Sequence, residues 1–211
     1  MRKIQLFLLL LMGSVAASAA EKVIELTKPN LERSKTVMHA LSERKSTREF
    51  AATELSIADL SDLLWAANGI NRPADNKRTA PSAMNRQEVD VYVLMKQGAY
   101  LYDAKGHKLT LVAEGDFREA IASTQEFAKS APVSLLLVSD LSKLGDPKNE
   151  GTRAMGAVDV GIVSQNISIF CAAAELATVP RGFMDKDKLV AALKLKESQV
   201  PIINHPVGYF K

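Results

Sequence analysis

The chain has 211 residues, enough for one domain with a sizeable core. A formal charge of +3 provides no bulk basic field for nucleic acid, and a single cysteine, Cys171, excludes an intrachain disulfide. His39, His107 and His205 are isolated from one another and from Cys171, so no metal-ligand spacing is present.

The first twenty residues, MRKIQLFLLLLMGSVAASAA, carry Arg2 and Lys3, an apolar run from Ile4 to Val15, and a small-residue end at Ala17-Ser18-Ala19. This is the pattern of a secretory signal peptide, and the run is shorter than the roughly 20 residues that span a bilayer. Residues 1–20 are therefore expected to be removed on export, to the periplasm or beyond. That leaves residues 21–211 as a single domain of net charge +1 with no stable membrane span.

Next, Pro29-Asn30 precedes a helical pattern in which Leu31, Val37, Met38 and Leu41 recur. At its end stands ERKSTREF, where Arg44, Lys45 and Arg48 crowd around Ser46 and Thr47. Such a cluster is either a solvated turn or a site for a phosphate group. TELSIADLSDLLWAANGI reads as a second helix, with Ser56 as N-cap, Asp59 at its third position and Gly69 as its stop. The following 17 residues, NRPADNKRTAPSAMNRQ, form a polar, proline-bearing loop, and a loop of that length in a compact domain is usually either functional or disordered.

VDVYVLM reads as a strand, and the runs on either side of Lys105-Gly106 as a hairpin. Asp116 is placed to cap a helix through about Lys129. PVSLLLVSD is a continuous apolar run, a buried strand. From about Thr152 to Leu176 the sequence is Ala-rich and apolar, a central helix with Cys171 as a small core residue. DKDKLVAALKL is a short helix and VPIINHPVGYF a last strand. The mixed order, with partial βαβ alternation, predicts an α+β domain: a central mixed sheet flanked by helices. G-x-G-x-x-G after a strand, G-x-S-x-G, H-E-x-x-H and a Walker loop are all absent.

Four segments taken together resemble the FMN-dependent nitroreductase superfamily over about residues 32–210. RKSTREF is similar to its R-x-S-x-[KR] opening, PSAMNRQ to its P-S-x-x-N-x-Q loop, VPRGF to its Pro-x-x-Gly-Phe segment, and HPVGYF to the strand that follows. The Trp65-bearing helix and the hairpin further resemble the SagB-type dehydrogenases that aromatise azolines, although Asn85 and Gln87 keep the general nitroreductase pattern. The resemblance implies the nitroreductase fold, a homodimer, and FMN at the subunit interface. It implies an oxidoreductase passing a hydride through flavin N5 from a small-molecule donor to an acceptor such as a nitroaromatic or quinone.

The residue chemistry agrees with that role. Arg44 offers a planar fork to a phosphate, Arg48 a neutralising charge and Ser46 a short hydrogen bond, and Lys45 or Arg48 suits the anionic edge of a reduced flavin. Asn85 and Gln87 match a donor–acceptor ring edge, while a turn-stabilising role is the plain alternative for Asn85. Pro81 and Ser82 belong to the same loop. Gly182 permits close backbone approach to flavin N5, or is simply a helix C-cap. Arg181 stands where the family commonly has a carboxylate, and the C-terminal basic clamp of many relatives is lacking, so the phosphate leans on Arg44, Lys45, Ser46 and Arg48. A flavin-binding module with little turnover and a cofactor-free exported domain are the competing readings.

Overall fold

The computed structural model describes residues 20–33 and 35–211, so the expected signal peptide lies outside the described residues. Among the described residues nine strands are present: β1 (Val23–Glu25), β2 (Ile70–Arg72), β3 (Lys77–Arg78), β4 (Val89–Met95), β5 (Gly98–Asp103), β6 (Lys108–Glu114), β7 (Val133–Asp140), β8 (Leu176–Thr178) and β9 (Gln199–Tyr209). The helices are α1 (Val37–Glu43), α2 (Ile57–Asn68), α3 (Arg118–Ala122), α4 (Glu150–Ala173) and α5 (Lys186–Leu193). Seven strands form one sheet in the order β1-β6-β5-β4-β7-β9-β8, and β2 pairs with β3 alone. The α+β class is as expected, but each pairing within the sheet is antiparallel rather than mixed.

Both faces of the sheet are covered, which explains why β4 and β7 read as continuous apolar runs. Val91, Val93, Leu135 and Leu137 pack against Leu60, Leu63 and Leu64 of α2 and Val160, Val163 and Ile167 of α4. Their neighbours Tyr92, Leu94, Leu136 and Val138 point the other way, onto Ile121 of α3 and Leu189 and Leu193 of α5. The two-residue side-chain period of a strand divides each run between two helical layers.

Sequence signals set the helix ends of α2 and α4. Ser56 caps α2 by accepting from the Asp59 N–H at 3.0 Å, and Asn149 caps α4 by accepting from the Thr152 N–H at 3.1 Å. Gly69 ends α2 at φ −75°, so left-handed freedom is not its purpose; a Cβ there would lie 2.5 Å from the Trp65 ring. By length and composition α4 could cross a membrane, with mean hydropathy 1.3 over its best window. Here its buried stripe of Gly156, Val160, Val163, Ile167 and Cys171 lies on the sheet. Gly156 permits the close approach, since a Cβ would meet Ser139 Oγ at 2.6 Å.

Four expectations need correction. The helix from Asp116 to Lys129 breaks at Ser123 (φ 51°, ψ −114°) into five-residue α3 and a 3-10 turn over Glu126–Ser130. The first helix begins at Val37, not near Leu31. The long helix stops at Ala173, and Glu175, at φ 57°, turns the chain into β8. The polar loop after Gly69 holds the β2–β3 ribbon and two 3-10 turns. Ahead of α1, the N-terminal arm is strapped to α2: Thr27 and Asn30 donate their N–H groups to Ser61 Oγ and Asp62 Oδ1, and Arg33 pairs with Asp59 and Asp62 at 2.6 Å.

Candidate cofactor site

Beyond α1 the chain runs extended along the β8 end of the sheet. Two backbone bonds fix it there: the Thr47 N–H donates to Thr178 O and the Ala51 N–H to Tyr209 O, each at 2.9 Å. Phe50 is buried against Ala131 and Ala177, with Phe127 packed on this small cluster. With alternate residues held inward, Arg44, Lys45, Ser46 and Arg48 stand exposed. The Lys45 ammonium lies 5.7 Å from the centre of the Phe210 ring, and the Arg48 guanidinium 6.0 Å from that of Phe127. Among the described residues no carboxylate lies within 4 Å of Arg44, Lys45 or Arg48; the neighbouring acids Glu43 and Glu175 both pair with Lys35, at 2.9 and 3.0 Å.

Gly182 lies nearby, in the connection after β8, where Arg181 bridges to Asn204 of β9. It is exposed, it is not at a helix end, and a Cβ would have only Ile202 O within 4 Å, at 3.9 Å. The face over Gly182 is therefore open.

Arg181 does not join the exposed cations. Its side chain is turned inward, and the residue as a whole is 6% exposed. It donates through Nε to Gln125 Oε1 at 2.9 Å, through Nη1 to Ile121 O at 3.0 Å and Asn204 Oδ1 at 2.9 Å, and through Nη2 to Ala122 O at 3.2 Å. Those carbonyls end α3, exposed by the break at Ser123, so Arg181 serves as a remote C-cap. Its side chain is occupied in holding the fold, which corrects its assignment as a direct cofactor ligand.

The loop from Pro81 to Gln87 forms a separate group. The Ala83 N–H donates to Asp159 Oδ2 of α4 at 2.8 Å, and the Gln87 N–H to Ser82 Oγ at 2.8 Å. The Gln87 amide is internal bracing: its oxygen accepts from Arg78 Nε at 3.0 Å and its nitrogen donates to Asn76 O at 2.7 Å and Asn85 Oδ1 at 3.1 Å. Asn85 is exposed in the left-handed region at φ 54°, with Met84 at φ 49° beside it. The turn role foreseen for Asn85 is thus present, and Pro81 is exposed at the start of the same loop.

The two groups do not meet within one chain. Asp159 supports the loop, while the cation cluster lies beyond Ala173 at the far end of the same helix; at 1.5 Å per residue the separation along α4 is about 20 Å.

Two buried acids behind the loop escaped the sequence reading. Glu88 is fully buried and neither of its oxygens has a hydrogen-bond donor from another residue. Burial pushes its pKa up to about 7, reinforced by the adjacent Asp159 carboxyl and opposed by its own backbone N–H and, least, by Lys143. An acid inside the otherwise apolar stretch GAVDVGIVS, on the buried stripe three residues after Gly156, was the available signal for Asp159. His205, treated as isolated, is buried between Ser164 Oγ at 2.7 Å and Thr178 Oγ1 at 3.3 Å. Burial holds its pKa down to about 3, so it is neutral. Among the described residues no cluster of His, Cys, Asp and Glu is able to hold a metal.

Comparison with known proteins follows the same outline. The sequence profile described as "Nitroreductase family" matches residues 41–209. A nitroreductase-family protein of Methanocaldococcus jannaschii is 26% identical over 194 residues, 88% of this chain and 96% of that one. A nitroreductase-family crystal structure from Ralstonia eutropha JMP134 superposes with a TM-score of 0.84 at 34% identity, covering 90% of each chain. A chain of the E. coli microcin synthetase complex shares the fold, with a TM-score of 0.72 at 15% identity over 89% of this chain and 75% of that one.

Proposed function

Because the chain belongs to the nitroreductase family, and hence to a family of oxidoreductases, we propose that it is an FMN-dependent oxidoreductase carrying electrons from a small reduced donor to a nitroaromatic or quinone acceptor. The observation that carries this reading is the set of three exposed cations around Ser46 with no carboxylate within 4 Å among the described residues. Surface cations commonly pair with the acids beside them; here the neighbouring Glu43 and Glu175 are taken up by Lys35, which leaves the cluster suited to a dianion.

The residues fit the cofactor. Arg44 and Arg48 supply charge and forked donors to the phosphate, and Ser46 a hydroxyl donor. Lys45 is placed beside them as further charge. Asn85, with its oxygen engaged by Gln87, keeps its amide N–H groups for a ring edge. Gly182 leaves room for a planar ring against the backbone. When bound, FMN would supply the two-electron chemistry, and the protein's task is to bind, orient and bias it.

We further propose that two copies share each site. The cation cluster and the Asn85 loop are about 20 Å apart in one chain, and a two-fold partner bringing its loop to the first chain's cluster would complete the site. Val37, Met38 and Leu41 on α1 and Met155 and Val158 on α4 are exposed apolar residues that such a partner would cover. Export of the chain after removal of residues 1–20 is part of the same proposal. It sets aside NAD(P)H as donor, and the mass of the exported protein checks it, an intact Met1 being the adverse result.

The deciding experiment is an absorbance spectrum of the purified protein. The expected result is a flavin spectrum that bleaches with dithionite and returns on adding a nitroaromatic or quinone. A flavin spectrum with no reoxidation by any acceptor points to a binding module instead, or to a heterocycle dehydrogenase if an azoline is oxidised. A colourless protein whose melting temperature ignores added FMN defeats the proposal.

A further inference from the structure

The guanidinium of Arg181 is buried, yet each hydrogen-bond acceptor around it is neutral: Gln125 Oε1, Ile121 O, Ala122 O and Asn204 Oδ1. Among the described residues no carboxylate lies within 4 Å of it, and the Phe127 ring covers it with the ring centre 5.4 Å away. A buried cation is ordinarily matched by an acid, because the cost of removing it from water is otherwise offset only in part. Arg181 therefore carries an unbalanced charge, and a charge inside the protein is screened by salt far less than one at the surface.

Its position is not neutral with respect to the candidate site. The same Phe127 ring has Arg48 of the cation cluster 6.0 Å from its centre, and the next residue in the chain is Gly182, with its open face. We infer that Arg181 is a positioning residue acting through space: its buried, acid-free charge raises the two-electron reduction potential of FMN held against Arg48 and Gly182. This rests on the FMN reading above. On reduction FMN takes two electrons and one proton, so it gains one unit of negative charge, and a fixed cation close by favours that product.

The test is a potential measurement on FMN-loaded protein, titrated with dithionite against a reference dye at fixed pH. Arg181→Met removes the charge. Gln125→Glu leaves Arg181 in place and sets a carboxylate where the amide oxygen now accepts from Nε; Gln125 is exposed, so the fold tolerates it even where Arg181→Met does not. In both variants the ratio of reduced to oxidised flavin at a fixed poise is expected to fall about tenfold, about 30 mV for a two-electron couple. Arg181→Lys, which keeps the charge but not the fork, is expected to stay within about threefold of wild type, and Thr124→Glu, an exposed neighbour, within about twofold. A purely structural role would lower the melting temperature of Arg181→Met and leave the Gln125→Glu potential at the wild-type value, which overturns the inference. An equal shift in Thr124→Glu overturns it too, as a bulk surface-charge effect. A wild type that takes up no FMN overturns the underlying reading and this inference together, whereas a yellow wild type whose potential matches that of Gln125→Glu overturns this inference alone.

Discussion

Arg44 closes α1 and faces solvent with its charge unmatched, which makes it the residue where the phosphate reading is most exposed to test. Losing a charge-assisted hydrogen bond costs roughly 1.5–3 kcal/mol, so Arg44→Ala is expected to weaken FMN binding by about one to two orders of magnitude, measured by fluorescence titration. Riboflavin lacks the phosphate and should bind wild type poorly and respond little to the substitution; equal FMN affinity in Arg44→Ala would return the stretch to a solvated turn. Glu88 makes a second prediction. Unfolded, it ionises near 4.5; folded, it keeps its proton to about 7. Its contribution to stability is full below 4.5 and is lost as pH rises toward 7, because in that window the folded state binds more protons than the unfolded one. Glu88→Gln should therefore gain stability relative to wild type between pH 5 and 8, by about 1–3 kcal/mol, read from denaturant midpoints. His205 pulls the opposite way as pH falls below 6.5, its unshifted pKa, in both proteins, and cancels in the difference. A difference independent of pH would show that Glu88 ionises normally. At this scale the sequence was legible where a type of residue implies its own exposure, as in the crowd of cations around Ser46. It misled at Arg181, because inward or outward direction depends on the carbonyls that α3 leaves open, and those belong to another part of the chain.

The elements divide along the same line between local and distant causes. The α2 helix carries its cap, its apolar stripe and its stop within its own residues, and both its ends fall where Ser56 and Gly69 place them. The break at Ser123 and the three-residue strands β1 and β8 have no such local marks; Leu176-Ala177-Thr178 continues an Ala-rich run and becomes a strand by pairing with residues 207–209 of β9. The α1 helix is the instructive case, since its apolar pattern is real but its stripe is not buried: Val37 is 65% and Met38 75% exposed, and Ala40 alone is buried. On the proposed dimer, this uncovered stripe is the face that a second subunit would cover. Met38→Glu is accordingly expected to convert a dimer to monomer at micromolar concentration by light scattering, with little change in far-UV circular dichroism. A variant that remains as dimeric as wild type would place the subunit contact elsewhere.

For the whole molecule, the proposed sharing of each site between two copies predicts complementation. Protomers carrying Arg44→Ala with Arg48→Ala, mixed with protomers carrying Asn85→Ala, are expected to recover tight FMN binding in about a quarter of the sites, since a mixed dimer gathers both lesions in one site and spares the other. Stoichiometric titration after mixing reads this directly; no recovery would mean that each chain builds its own site. The central sheet flanked by helices followed from the sequence, with the continuous apolar run of β7 marking a buried strand, whereas the wholly antiparallel pairing did not, because strand direction is set by connections that the elements themselves do not encode.

The place of β9 in the sheet has a consequence for how the chain comes into being. Residues 199–209 pair with all eight residues of β7 on one side and with β8 on the other, yet they are made after each of those partners. Until they emerge from the ribosome, β7 presents an apolar, unpaired edge and the small cluster around Phe50 lacks its Tyr209 anchor. Contacts of such long sequence range also close slowly. A nascent chain arrested before Gln199 should accordingly remain open to protease, becoming resistant only when β9 is added. A polypeptide that waits for its last strand stays threadable while it is being synthesised, the condition under which an unfolded chain is handed to a membrane channel.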